Sequence, residues 1–232
     1  MNELPKGLNF LNLGYSSAGL SEEYLDFVVS KFKSDATQKI LVVGVSPNSL
    51  LREAQKNEQL ASFQNQGVFA TFRYTYLSPI LQNFAPYKPL QLITQEPKNY
   101  QETFDESGWV KSDQLRPDST HALKIYEKML SESTLEKELL DKTINKLIEI
   151  QESGVQIFAI RMPTTQAMEQ LEDRLLNYDE KMVKTPLVEK GIIWMSFDEE
   201  NFISYDGSHL DSESSLRISK LIGKRISQFI NE

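Results

Sequence analysis

The stretch Lys39-Ile-Leu-Val-Val-Gly-Val45 decides the fold. Its apolar residues run on without the polar alternation of a strand that faces water. A continuous β-branched run of this kind predicts a strand covered on both faces, as in a parallel sheet. Upstream of it, Ser21 is a good helix N-cap, and Leu25, Val28, Val29 and Phe32 recur at i, i+3, i+4 and i+7. Residues 22–33 are therefore expected to form a helix with one buried stripe. Before that helix, Leu8-Asn-Phe-Leu-Asn-Leu-Gly14 reads as a short strand ending in a glycine turn. A helix-length connection between two strands implies a parallel crossover, which predicts residues 8–13 beside residues 40–45 in the sheet.

The same grammar returns downstream. Ser133-Thr-Leu-Glu136 has the pattern of a capping box, and Leu135, Leu139, Leu140, Ile144, Leu147 and Ile148 then mark a long amphipathic helix. Gly154 is a suitable stop for it. Val155-Gln-Ile-Phe-Ala-Ile160 is expected as a third strand, ended by Pro163, with a helix over 166–176. Ile192-Ile-Trp-Met-Ser196 is expected as a fourth strand, and 212–230 as a closing helix carrying Leu216, Leu221, Ile222, Ile226, Phe229 and Ile230. Strands alternating with helices predict an α/β fold: a three-layer, flavodoxin-like parallel sheet. The whole chain, 1–232, reads as one domain with an aromatic-rich insertion at about 50–130, irregular and partly helical, within which 90–110 is expected to be loop. The insertion's aromatics are expected to form a satellite core, with a substrate-facing lid as the alternative.

Composition removes several classes of function. With 25 Lys and Arg against 33 Asp and Glu, the net charge is −8 and no basic stripe is present, so nucleic acid is not an expected partner. The absence of cysteine excludes disulfides, thiolate catalysis and cysteine-bound metals. No glycine-rich phosphate loop and no His/Asp/Glu cluster with ligand spacing occurs, so no cofactor or metal is expected. No apolar run approaches the ~18 residues needed to cross a bilayer, and the first residues lack the apolar region of a secretory signal. The oligomeric state is not legible.

In an open parallel sheet, ligands sit at the carboxyl ends of the strands. The informative residues should then follow positions 13, 45, 160 and 196. Only two histidines exist, His121 and His209, so any histidine base is one of them. His121, in Pro-Asp-Ser-Thr-His, reads as a surface residue at a helix start. His209 lies in Tyr205-Asp-Gly-Ser-His-Leu210, after the last strand and before the last helix. An aspartate three residues before it, Asp206, can fix its tautomer and stabilise the imidazolium formed when the ring takes a proton from a hydroxyl. Asn48 either shapes a Pro-Asn turn or donates through its amide. Arg161, at the end of the third strand, is either a cleft cation for an anionic substrate or a salt-bridge partner.

These residues bear a family resemblance. Asp206-Gly-Ser-His209-Leu resembles the last block of the SGNH (GDSL-like) hydrolases, whose Asp and His complete a Ser-His-Asp triad. Asn12-Leu-Gly-Tyr-Ser-Ser-Ala-Gly19 resembles their second block, which implies an oxyanion-hole N–H at Ser17, with Gly14 and Tyr15 on the substrate side. Ser17 stands where the family often has glycine. Val42-Val-Gly-Val-Ser-Pro-Asn48 is similar to the third block, implying Asn48 as a second oxyanion donor. Arg161-Met-Pro163 and Glu106-Ser-Gly-Trp109 resemble SGNH-like proteins of cell-envelope polysaccharide acylation. The resemblance covers roughly residues 8–50 and 150–230. It implies an ester hydrolase or acyl transferase acting on a small-molecule or carbohydrate-linked ester.

One departure bears on activity. The family's nucleophilic serine sits in a first block well upstream of the second, and here only seven residues precede Leu8. The spacing points to absence of that block, and hence to an inactive hydrolase or a non-catalytic binding or accessory domain. The alternative is that Gly14-Tyr15-Ser16-Ser17 is itself the nucleophile turn, with Ser16 or Ser17 attacking.

Overall fold

The computed structural model describes residues 10–14, 19–57, 100–104, 110–114, 118, 120–197 and 200–231. In chain order its elements are α1 (Glu22–Val29), β1 (Ile40–Gly44), a 3-10 turn (Pro47–Leu50), the one-turn α2 (Arg52–Gln55), β2 (Tyr100–Phe104), β3 (Val110–Gln114), α3 (His121–Ser131), α4 (Lys137–Glu152), β4 (Gln156–Ile160), α5 (Gln166–Leu176), α6 (Lys181–Glu189), β5 (Ile193–Met195) and α7 (Ser212–Asn231). β1, β4 and β5 form a parallel sheet in the order β1-β4-β5, with Ile40 opposite Gln156 and Phe158 opposite Ile193. β2 and β3 make a separate antiparallel pair.

β4 lies at the centre, and Ile157, Phe158, Ala159 and Ile160 are all buried. Its side chains feed two cores. Ile157 and Ala159 pack with Leu25 of α1, Leu140, Ile144 and Leu147 of α4, and Val183 and Leu187 of α6. Phe158 and Ile160 pack with Met195, Ile218 and Ile226, and the Phe158 ring meets Phe229 of α7 edge-on at 5.4 Å. Helices therefore cover both faces of the sheet, which is why its strands carry no polar alternation. Gly154 (φ +94°) and Gly191 (φ +84°) turn the chain from α4 into β4 and from α6 into β5, in backbone conformations that favour glycine.

Several local expectations are corrected. Residues 10–13 form no strand, and Phe10 and Leu11 are exposed; residues 8 and 9 lie outside the described set. The segment is held instead by the Tyr24 hydroxyl, which donates to the Leu13 carbonyl at 2.5 Å, and by Asn12 Oδ1, which accepts the Gly14 N–H at 3.0 Å. The expected helix over 22–33 ends at Val29. The capping box at 133–136 is not formed. α4 starts after Glu136 with no side-chain cap, because the Glu136 carboxylate is taken by Arg52 Nε at 2.6 Å. Part of the expected loop at 90–110 is strand, since Tyr100–Phe104 pairs with Val110–Gln114. Among the described residues, no helix is long and apolar enough to cross a membrane.

The register of β1 leaves one edge open. Val45 N–H donates to Ile160 O at 2.7 Å and Gln156 N–H to Lys39 O at 2.9 Å, so the odd-numbered residues of this stretch face β4. The N–H and C=O groups of Ile40, Val42 and Gly44 then point the other way, where no described residue pairs with them. Amide exchange should alternate accordingly. By hydrogen-exchange NMR, Leu41, Val43 and Val45 should be protected and Ile40, Val42 and Gly44 should exchange faster. Uniform protection along 40–45 would reveal a further strand on that edge.

Candidate active site

Three parallel strands place their carboxyl ends at one edge of the sheet. The 3-10 turn follows β1, the run Arg161–Thr165 follows β4, and the loop into α7 follows β5. The 3-10 turn starts at Ser46, whose hydroxyl accepts the Ser49 N–H while its own N–H donates to Ser49 Oγ. Leu20 N–H donates to Ser49 O at 2.9 Å, which ties the chain just after residues 12–17 to this turn. Asn57, in a left-handed conformation (φ +46°), completes the tie. Its Oδ1 accepts the Gly19 N–H at 2.9 Å, and its Nδ2 donates to Gly19 O at 3.0 Å and Ser21 Oγ at 2.8 Å. A Cβ at Gly19 would lie 2.4 Å from the Ala54 backbone, so only glycine fits there.

The loop after β5 holds the expected pair. His209 Nδ1 lies 2.7 Å from Asp206 Oδ2, and Asp206 Oδ1 accepts the backbone N–H groups of Ser208 (2.9 Å) and His209 (2.7 Å). Asp206 is buried, whereas the His209 side chain is 60% exposed and no described residue bonds its Nε2. The Tyr205 ring stacks on the imidazole, with centroids 5.9 Å apart and planes 14° off parallel. Burial pushes the Asp206 carboxyl up, but the His209 ring and the two N–H groups outweigh it and hold the carboxyl at about 2. The bond to Asp206 raises the His209 imidazole above its ordinary value. An imidazole bonded to a carboxylate through one nitrogen and open at the other is arranged to take a proton at Nε2.

Neighbouring elements fix this loop. Ala122 N–H, at the start of α3, donates to Asp206 O at 3.0 Å. Thr165, the N-cap of α5, donates its hydroxyl to Gly207 O at 2.7 Å, and Gly207 takes φ +100°. Ser204 Oγ accepts the Gly207 N–H and donates to His209 O. α5 also packs against the 3-10 turn, so one helix touches both the Asn48 turn and the histidine loop.

The remaining expected site residues fall as follows. Asn48 is half-buried at the strand end, and no described residue bonds its amide. Gly14 closes the short turn with Asn12. Tyr15, Ser16 and Ser17 lie outside the described residues, as does Glu106-Ser-Gly-Trp109. Of the two readings of Arg161, the salt-bridge partner is the one realised. Its Nη2 reaches Glu172 Oε2 and Asp173 Oδ1, each at 2.9 Å, and its guanidinium lies 5.2 Å from the Tyr178 ring centre. His121 is the first residue of α3. A cavity of about 520 Å³ is lined by Ser196, Phe197, Glu200, Leu221, Lys224, Arg225 and Gln228, and neither Asp206 nor His209 borders it. Among the described residues, no group of three or more His, Asp or Glu side chains is placed to hold a metal ion. Asn57 and Thr165 were not singled out by the sequence. Asn57 carries no local signal, and Thr165 offers only its place as an N-cap residue after Pro163.

Comparison of the chain with protein-family models, with curated proteins and with solved structures gave no match.

Two predictions follow from the charges. Asp206 is depressed, so its contribution to stability is present above about pH 4 and lost as pH falls toward 2. His209 is raised, so its contribution is complete below its unfolded value near 6.5 and lost as pH rises through the folded value. In urea denaturation, Asp206→Asn should therefore cost about 1–3 kcal/mol at pH 5.5 and much less at pH 2.5. Arg161→Ala leaves the buried Glu172 carboxylate with no cation beside it, and should cost about 3–5 kcal/mol by the same measurement. Adding Glu172→Gln should recover part of that loss.

Proposed function

We propose that this chain is an SGNH-like α/β domain that acts on a carbohydrate-linked ester, as a hydrolase or an acyl transferase. The single observation that carries this reading is the pair that follows β5: an exposed His209, bonded through Nδ1 to a buried Asp206 and with Nε2 bonded by no described residue. The parallel order β1-β4-β5 is compatible with the last three places of the flavodoxin-like order 2-1-3-4-5. In this reading Nε2 takes the proton of the attacking hydroxyl, and Asp206 stabilises the resulting imidazolium without accepting the proton itself. The Asn48 amide and the Ser17 N–H stabilise the oxyanion. Ser16 and Ser17 are the serines of this chain assigned to the nucleophile turn. A second reading is a non-catalytic carbohydrate-binding or accessory domain that keeps the fold.

Hydrolysis of p-nitrophenyl acetate by the purified chain separates the two. A base pair without a nucleophile should leave only a slow rate, on the order of 10³–10⁴ above solvent, that rises with pH through the His209 titration and vanishes in His209→Ala. Robust turnover lost in Ser16→Ala or Ser17→Ala would make the Gly14 turn the nucleophile turn. A rate indifferent to His209→Ala would leave the non-catalytic reading.

A further inference from the structure

The histidine loop is held in place from outside itself, by Ala122 at the start of α3 and by Thr165 at the start of α5. Thr165 ends the run that leaves β4 and begins α5. Its hydroxyl oxygen accepts the Met168 N–H at 3.3 Å, as an N-cap does, and its hydroxyl proton goes to Gly207 O at 2.7 Å. The Thr165 N–H points to the same carbonyl at 3.4 Å. Gly207 sits between Asp206 and His209, in a backbone conformation that favours glycine (φ +100°). On its other side, its N–H is bound by Ser204 Oγ at 2.8 Å, and the same Ser204 hydroxyl donates to His209 O at 2.7 Å. The peptide groups flanking the Asp206–His209 turn are thus fastened at both ends, and the fastening that comes from another strand end is Thr165.

We propose that Thr165 is a positioning residue for His209: its hydroxyl clamps the Gly207 carbonyl and thereby holds the imidazole against Asp206. The proposal rests on His209 being the working base of the site. The double use of one hydroxyl is what sets Thr165 apart. A residue that only capped α5 would need an acceptor, and many side chains supply one. Donation to Gly207 O also needs a proton, which serine and threonine carry and aspartate at neutral pH does not. Among the described residues, the groups facing the ring are few. Asp206 supplies the charge that acts on it, and Tyr205 stacks on it. Tyr126 of α3 bonds Ser208, with Glu172 of α5 nearby, and burial keeps that phenol neutral. The Thr165 hydroxyl bonds Gly207 and Met168 and none of these groups, so the effect of replacing it reaches the ring through the clamp.

The test uses the full chain and two readouts. The first is the NMR titration of its two imidazoles, with His121 as internal reference. The second is amide exchange at Ser208 and His209, whose N–H groups are held by Asp206 Oδ1. Thr165→Ser should leave both unchanged. Thr165→Val should lower the His209 midpoint by half a unit or more, leave His121 unmoved, and speed the two amides at least tenfold. If Thr165→Val does not fold, Thr165→Asp keeps the capping acceptor while removing the donated proton. It should speed the same amides, a change that an added negative charge beside the ring would not mimic. Wild-type exchange at Ser208 and His209 in folded Thr165→Val or Thr165→Asp would overturn the clamp. Altered exchange in these variants, with ester hydrolysis indifferent to His209→Ala, would leave the clamp standing and remove the catalytic reading.

Discussion

Burial of β4 on both faces and along both edges is the constraint on which the rest depends. Ile157 and Ala159 point into one core, Phe158 and Ile160 into the other, and the strand's backbone is shared between β1 and β5. A strand so placed must be apolar throughout, and its neighbours must run parallel, because each is reached by way of helices rather than a hairpin. The parallel direction then decides where chemistry can collect. Three chain segments leave the sheet at one edge, and Asn48, Thr165 and the His209 loop lie on those segments or just beyond them. The separation between a stiff, dry centre and polar loops at one rim is what allows an exposed imidazole to be held in one orientation.

The polar groups at that rim illustrate two solutions to the cost of burying charge. Glu172 is buried, and burial pushes it up while Arg161 pulls it back; the pair serves the packing of α5 against the end of β4. Asp206 is buried too, yet it stays strongly acidic, since two backbone N–H groups and an imidazole converge on it. One carboxylate lies next to a cation that it shares with Asp173. The other lies next to a ring whose far nitrogen no described residue bonds.

Much of this was legible in the sequence where the determinant is local. The runs at 40–45 and 155–160 announced buried strands. The helix Gln166–Leu176 was read to the residue; its cap at Thr165 and its left-handed end at Asn177 were not. Asp206 and His209 were legible because three residues of one turn suffice to bring them together. The failures share a cause, which is dependence on distant partners. Residues 10–13 have a strand's composition but no described ladder. Glu136 has the pattern of a cap but is engaged by Arg52, 84 residues away. The β2 strand, Tyr-Gln-Glu-Thr-Phe, carries too little apolar alternation to announce itself, and Pro186 inside α6 hid a helix. Thr165 and Asn57 gain their roles from residues 42 and 38 positions off.

The register that sets Ile40 opposite Gln156 also has a cost in time. It closes a loop of 116 residues (156 minus 40), whereas Phe158 opposite Ile193 closes one of 35 (193 minus 158). In loop entropy the longer closure is dearer by only about 1 kcal/mol. On the ribosome the difference is larger in kind. At roughly 5–20 residues per second, β1 emerges on the order of ten seconds before β4 exists to receive it. Through that interval the stretch Ile-Leu-Val-Val-Gly, apolar on both faces, has no described sheet partner within the chain. The centre of the finished sheet is, for a nascent chain, its stickiest unfinished part, and the stretch that decides the fold is also the one most in need of shelter while it is made.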